Sequence, residues 1–155
     1  MSVDSDPRFL ALVQKQIDAL APATRPQHRL IHANIGLTQE WGRPIFRRPE
    51  PRRLRRWRTY VEAPWAALRE LHATPDTVLV DGRFRVACAL ETVRNLGADS
   101  PCRILFDDYQ RDFYHPIEAF AELVEMQGRM GVFRTQPNDA DALARALDEF
   151  CRDWR

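Results

Sequence analysis

Two short apolar runs, each halted by acid, constrain this chain more than any other feature. Val78-Leu79-Val80 stops at Asp81-Gly82, and Ile104-Leu105-Phe106 stops at Asp107-Asp108. Between them Val86, Leu90 and Val93 recur at helical spacing, and Gly97 is placed to end the helix. Strand, helix, strand in this order is a βαβ unit, which crosses over right-handedly into a parallel sheet. Both acidic tips then emerge at the carboxyl edge, where open α/β sheets bind ligands. Neighbouring strands lie roughly 5 Å apart, so Asp81, Asp107 and Asp108 are expected to share one small volume.

The 155 residues read as a single α/β domain, 1–155, long enough to bury a real core. The first residues, Met-Ser-Val-Asp-Ser-Asp-Pro, have neither a basic nor an apolar leader region, and no apolar run approaches a membrane span. Cys88, Cys102 and Cys151 are odd in number and sit among apolar residues, which predicts buried thiols rather than a disulfide or zinc framework. A cytoplasmic protein without a membrane partner is the expectation. Charge is balanced in total but not in place. Residues 41–75 hold nine arginines against Glu50, Glu62 and Glu70, so the remainder is net acidic, and Lys15 is the only lysine.

Taken in order, Asp6-Pro7 predicts a helix start, with Asp6 as N-cap and Pro7 in the first turn. Leu10, Val13, Ile17 and Leu20 follow at helical spacing until Pro22. Arg29 to Ala33 reads as a short strand. Residues 41–75 read as an irregular arginine- and proline-rich insertion, helical in part from Trp57 to Leu71. Tyr114-His115-Pro116 is expected to open a helix. The runs Leu123–Met126 and Met130–Phe133 flank Gly128 as a β-hairpin. A final helix, capped by Asn138, carries Leu143, Leu147, Phe150 and Trp154 on one face.

This order of elements resembles the class I S-adenosylmethionine-dependent methyltransferases, from about residue 3 to residue 134. That family has a Rossmann-like, mostly parallel sheet ending in an antiparallel β-hairpin. Val3-Asp4-Ser5-Asp6 is similar to the end of its second strand, Ala33-Asn34-Ile35-Gly36 to the turn after its third, and Val80-Asp81-Gly82 and Phe106-Asp107-Asp108-Tyr109 to the ends of its fourth and fifth. The resemblance implies S-adenosylmethionine as cofactor, with Asp4 on the ribose hydroxyls, Asn34 bordering the adenine and Asp81 beside them. It implies methyl transfer to a small molecule, at oxygen, with metal assistance as an option. The family's first strand and glycine-rich loop have no counterpart in the sequence, which contains no G-x-G. The domain is therefore expected to be N-terminally incomplete, with a gap mid-sheet that would favour self-association into a homo-oligomer.

Three groups of residues carry candidate chemistry. Asp81, Asp107 and Asp108 can bind Mg²⁺, which takes a few carboxylates and keeps several waters; otherwise Asp81 caps the following helix or is neutralised by Arg83 or Arg85. His115 is a candidate general base beside the catalytic candidates Asp81 and Asp107. Tyr109 and Arg83 are candidate substrate residues. The arginines between Arg47 and Arg58, with Trp41, Trp57 and Trp65 nearby, suit an anionic or aromatic small-molecule substrate or form a solvated basic loop. Without a second basic face, a dedicated nucleic-acid protein is disfavoured. The rival function is a non-catalytic, degenerate methyltransferase-like module that binds a protein partner or anionic ligand through the arginine-rich insertion.

Overall fold

The computed structural model describes residues 1–155. The chain runs β1 (Ser2–Asp4), α1 (Pro7–Asp18), β2 (Leu30–His32), β3 (Thr38–Gln39), β4 (Arg43–Pro44) and α2 (Pro51–Glu70). It continues through β5 (Thr77–Val80), α3 (Arg85–Leu96), β6 (Arg103–Phe106), a 3-10 segment at Asp112–Ala119, β7 (Ala121–Gln127), β8 (Met130–Thr135) and α4 (Ala140–Phe150). No helix is long and apolar enough to cross a membrane.

The βαβ unit forms where the apolar runs place it. β5 and β6 pair in parallel, Val78 opposite Ile104 and Val80 opposite Phe106, and α3 crosses between them. The hairpin also forms: β7 and β8 pair antiparallel around Gly128, whose φ of 62° is the left-handed conformation glycine adopts freely. β8 then inserts beside β6 in antiparallel sense, giving the order β5-β6-β8-β7. β1 and β2 make a separate parallel pair, with Val3 opposite Ile31. No strand joins this pair to the four-stranded sheet, so the chain holds two sheets where the sequence reading placed a gap mid-sheet.

Two cores correspond to the two sheets. Val86, Leu90 and Val93 of α3 pack with Ile104, Phe106 and Phe133 of the strands, and Leu143 and Leu147 of α4 close this cluster. The second core holds Ala33 and Ile35 from the end of β2, Trp57, Tyr60 and Val61 from α2, and Phe84 and Ala87 at the start of α3. Its aromatic centre is Phe84, 5.4 Å from Trp57 and 5.8 Å from Tyr60 between ring centroids. Through this cluster α2 bridges the two sheets. The Trp57 indole N–H is buried there without a hydrogen-bond partner, an arrangement that costs about 1–3 kcal/mol.

Several local expectations change in the fold. The arginine-rich stretch is not an irregular insertion: it is a small β3–β4 hairpin followed by the 20-residue α2. Pro51 occupies the first turn, where a missing N–H is harmless, and Leu54, Trp57, Val61 and Trp65 make a continuous apolar stripe. Pro64 sits inside the helix; the stripe's burial outweighs its local penalty, which sequence reading weighs too heavily. Residues 112–119 form 3-10 turns rather than an α-helix, and Ala121 belongs to β7. The last helix is capped by Asp139, which accepts from the Asp141 and Ala142 amides, while Asn138 donates to the Gln136 carbonyl. Asp6 caps α1 as expected, accepting from the Arg8 amide. The three cysteines are free thiols, and burial pushes Cys151 up to about 11.

Packing is tight where β8 meets β6. A Cβ at Gly131 would stand 2.8 Å from the Phe133 ring and 2.9 Å from that of Tyr109, closer than side chains tolerate. Gly131→Ala is expected to destabilise the fold by about 1–3 kcal/mol, read as a lower urea midpoint with unchanged slope; an unchanged midpoint would show that the ring pair can move aside.

Candidate functional site

The carboxyl ends of β5 and β6 deliver their acids to one edge, as the alternation of runs and acids requires. Arg85, in the first turn of α3, is what organises them. Its side chain is 5% exposed. Its Nε donates to the Gly82 carbonyl at 3.0 Å, and Nη1 donates to the Asp107 carbonyl at 2.8 Å and to Asp108 Oδ2 at 3.2 Å. Nη2 donates to Asp81 Oδ1 at 3.3 Å. One guanidinium thus ties the two strand ends together, because its five N–H groups diverge in a rigid fork.

Arg129 reaches the same edge from the β7–β8 turn and holds Asp107 with two bonds of 2.9 and 3.0 Å. The Tyr109 amide donates to the Arg129 carbonyl at 2.7 Å, which fixes that turn over the end of β6. Arg111 lies 2.9 Å from Asp108 Oδ2. Three aspartates therefore meet three arginines. The Asp81 and Asp107 carboxyl groups also share a hydrogen bond. Desolvation first, and that bond second, make Asp81 hold its proton above the ordinary aspartate value. Burial pushes Asp107 the same way, but the bond from Asp81 and the Arg129 charge outweigh it and hold Asp107 below the ordinary value.

This geometry gives the metal expectation no support. No group of three or more acidic, histidine or cysteine side chains is arranged to hold a metal ion. Asp81, Asp107 and Asp108 do lie together, but guanidinium groups occupy the oxygens a cation would need. Asp81 does not cap α3 either: the N-cap is Phe84, in the left-handed conformation at φ 55° with no side-chain cap. That buried, strained aromatic turns the chain so that Arg85 faces inward.

The other candidates are dispersed around this edge. Asp4, at the end of β1, accepts the Asp6 amide at 2.7 Å through Oδ1, and Asn34 accepts the Gly36 amide at 2.9 Å. The Ala33 amide donates to the Asp4 carbonyl at 3.0 Å, so these two residues share the carboxyl edge of the β1–β2 pair. Tyr60 of α2 joins the two halves. Its phenol lies directly beneath Gly82, and burial, followed by the charges of Cys88 and Asp4, raises its proton affinity. Tyr109 is 2% exposed, stacked edge-on to Phe106 and Phe133 with its hydroxyl on Glu118. It is a core aromatic. His115 is exposed, with Nε2 3.2 Å from the Tyr109 carbonyl. A groove of about 490 Å³ lined by Trp65, Arg69, His72 and Asn95 lies at the far ends of α2 and α3, away from the acids.

The crystal structure of a methyltransferase-like protein from Silicibacter pomeroyi DSS-3 superposes with a TM-score of 0.81 at 32% sequence identity, over 98% of this chain and 75% of that one. The chain belongs to that methyltransferase-like family. No family model matches the sequence, and no curated protein matches it. The methyltransferase-like fold agrees with the resemblance read from the strand ends; Asp4 ends β1, Asn34 follows β2 and Asp81 follows β5.

Sequence reasoning did not single out Arg129. Neutralisation of Asp81 by Arg83 or Arg85 was one alternative in the sequence, and the structure shows Arg85 on it, whereas Arg129 reaches Asp107 only because β8 inserts beside β6. Arg129→Gln is expected to cost about 1 kcal/mol at neutral pH, given that Arg129 is 65% exposed. The sign follows from Asp107: its lowered folded-state value adds stability above the ordinary aspartate pKa of about 3.9. That increment fades as pH falls through the folded-state value. Asp81, shifted upward, acts in the opposite sense. Urea melts of both proteins should therefore converge in acid; a gap independent of pH would mean that Arg129 acts through packing.

Proposed function

We propose that this protein transfers a methyl group from S-adenosylmethionine to a hydroxyl of a small molecule. The observation that carries the reading is the set Asp4, Asn34 and Asp81 at three strand ends on the carboxyl edges of a methyltransferase-like fold. The fit to the cofactor is good for its adenosine half. Asp4 uses one oxygen for the Asp6 amide and keeps the other for a ribose hydroxyl. Asn34 shapes a turn closed by Gly36, which holds φ 105° as only glycine does readily. No glycine-rich loop for the methionine end is among residues 1–155.

The cofactor supplies a methyl group made electrophilic by its sulfonium. This chain's task is then alignment of the acceptor oxygen with that methyl, which is worth more than any single proton transfer. Asp81 is the group best suited to take the hydroxyl's proton: its carboxyl is exposed and its proton affinity is raised. Arg85 and Asp107 hold Asp81 in place. His115, turned to the Tyr109 carbonyl, has no part in this scheme. The aspartates do not fit Mg²⁺, and no step passes through a metal.

Binding and transfer are separable experimentally. Calorimetric titration of the protein, as its own cells make it, with S-adenosylhomocysteine should show saturable binding. Asp4→Ala should weaken that binding about tenfold or more, the scale of one lost charge-assisted hydrogen bond. Asp81→Asn should leave it intact while reducing methyl transfer to a panel of hydroxylated acceptors. Absence of binding would overturn the proposal in favour of a non-catalytic role; binding insensitive to Asp4 would overturn only the placement of the ribose.

A further inference from the structure

The arginines at the carboxyl edge divide into two sets. Arg85, Arg111 and Arg129 each have a carboxylate partner. Arg83, on the turn between β5 and α3, has none. Its side chain forms neither an ion pair nor a hydrogen bond, although the residue is half-buried. Burial disfavours its protonated form most, followed by the guanidinium of Arg85 and, more weakly, that of Arg43, with Tyr114 and Tyr60 acting the other way. Arg43 is likewise unpaired, at the start of β4.

The β3–β4 hairpin is what brings them together. Gly42 sits so close to the strand ends that a Cβ there would stand 3.4 Å from Ser5 Oγ and 3.7 Å from Arg83 Cγ. The hairpin tip therefore rests on the edge of the site. Trp41 beside it is 79% exposed with φ 63°, a conformation seldom held by a bulky residue. Asp81 lies two residues before Arg83 on the same turn. An unpaired guanidinium held half-buried beside like charge is unfavourable until an anion completes it, and a paired fork recognises carboxylate and phosphate oxygens well.

We propose that Arg83 and Arg43 form a clamp for the carboxylate or phosphate group of a small anionic molecule, the acceptor substrate if the methyl-transfer reading holds. Such an acceptor bears an oxyanion at one end for the clamp and a hydroxyl at the other for Asp81. Trp41 offers its exposed face to any planar part between them. The clamp itself does not depend on the cofactor.

The test is calorimetric titration of the full chain, at matched ionic strength, with inorganic phosphate, with salicylate and with neutral salicyl alcohol. Both anions should bind saturably and the alcohol should not; phosphate outperforming salicylate would assign the clamp to phosphorylated acceptors, and the reverse to carboxylated ones. Arg83→Gln and Arg43→Gln should each weaken anion binding about tenfold, Arg83→Lys less, and the exposed Arg134→Gln not at all. Because Arg83 satisfies no partner in the folded chain, Arg83→Gln should melt at or above the wild-type temperature while losing the anion-induced rise. Binding that survives Arg83→Gln, or no saturation beyond the ionic-strength control, would overturn the clamp. Titration with S-adenosylhomocysteine on the same samples keeps the two readings apart, since anion binding that follows Arg83 without it would refute methyl transfer alone.

Discussion

The buried guanidinium of Arg85 is the interaction on which the rest of the edge depends. Two parallel strands can be paired by backbone hydrogen bonds alone, but their ends, where acids replace apolar residues, would repel one another. Arg85 removes that repulsion from below. It bonds the Asp107 carbonyl as well as the carboxylates of Asp81 and Asp108, so it fixes backbone and charge together. Burying a charge is favourable only when its hydrogen-bonding capacity is nearly filled, and four acceptors meet that condition. Arg85 fixes where Asp81 and the end of β6 stand, while burial and the bond to Asp107 raise Asp81, and that bond with Arg129 lowers Asp107.

A second constraint is the joint between the sheets. β1–β2 and the four-stranded sheet share no hydrogen bonds, so their relative placement rests on side-chain packing. Trp57, Tyr60 and Val61 of α2 fill the space against Phe84 and Ala87 of α3 and Ala33 and Ile35 after β2. Close-packed aromatic contact of this kind is nearly as position-specific as a strand ladder. It also explains the strain at Phe84: the left-handed turn is the means by which one buried ring reaches Trp57 while its neighbour Arg85 turns toward the acids. Asp4 and Asp81 belong to different sheets, and this cluster sets the distance between them.

The βαβ unit, the hairpin and the amphipathic α1 and α4 were all legible because their signals are local: period, cap and turn residue lie within a few positions of one another. α2 was read only in part, since Pro51 and Pro64 look like breakers unless one knows that Trp57, Val61 and Trp65 have a core to enter. At the site, the convergence of Asp81, Asp107 and Asp108 followed from the parallel pairing of two runs. Their partners did not. An aspartate cluster awaiting a cation and one already held by arginines look alike in sequence when Arg129 is 22 positions away from Asp107. Tyr109, adjacent to those acids, was drawn toward a substrate role by its position and turned inward because Phe106 and Phe133 offered it a place in the core.

The sequence by itself determined the central strand–helix–strand unit, the β-hairpin and the first and last helices, and that two acidic strand ends meet at one edge, because periodicity and alternation are properties of neighbouring residues. Only the tertiary structure decided what those acids do. The insertion of β8 beside β6 brought Arg129 to Asp107. The strained turn at Phe84 buried Arg85 and left Arg83 without a partner. The hairpin at Gly42 set Arg43 beside it. Each depends on contacts between residues far apart in the chain, where the outcome is fixed by how surfaces fill space and how charges share it.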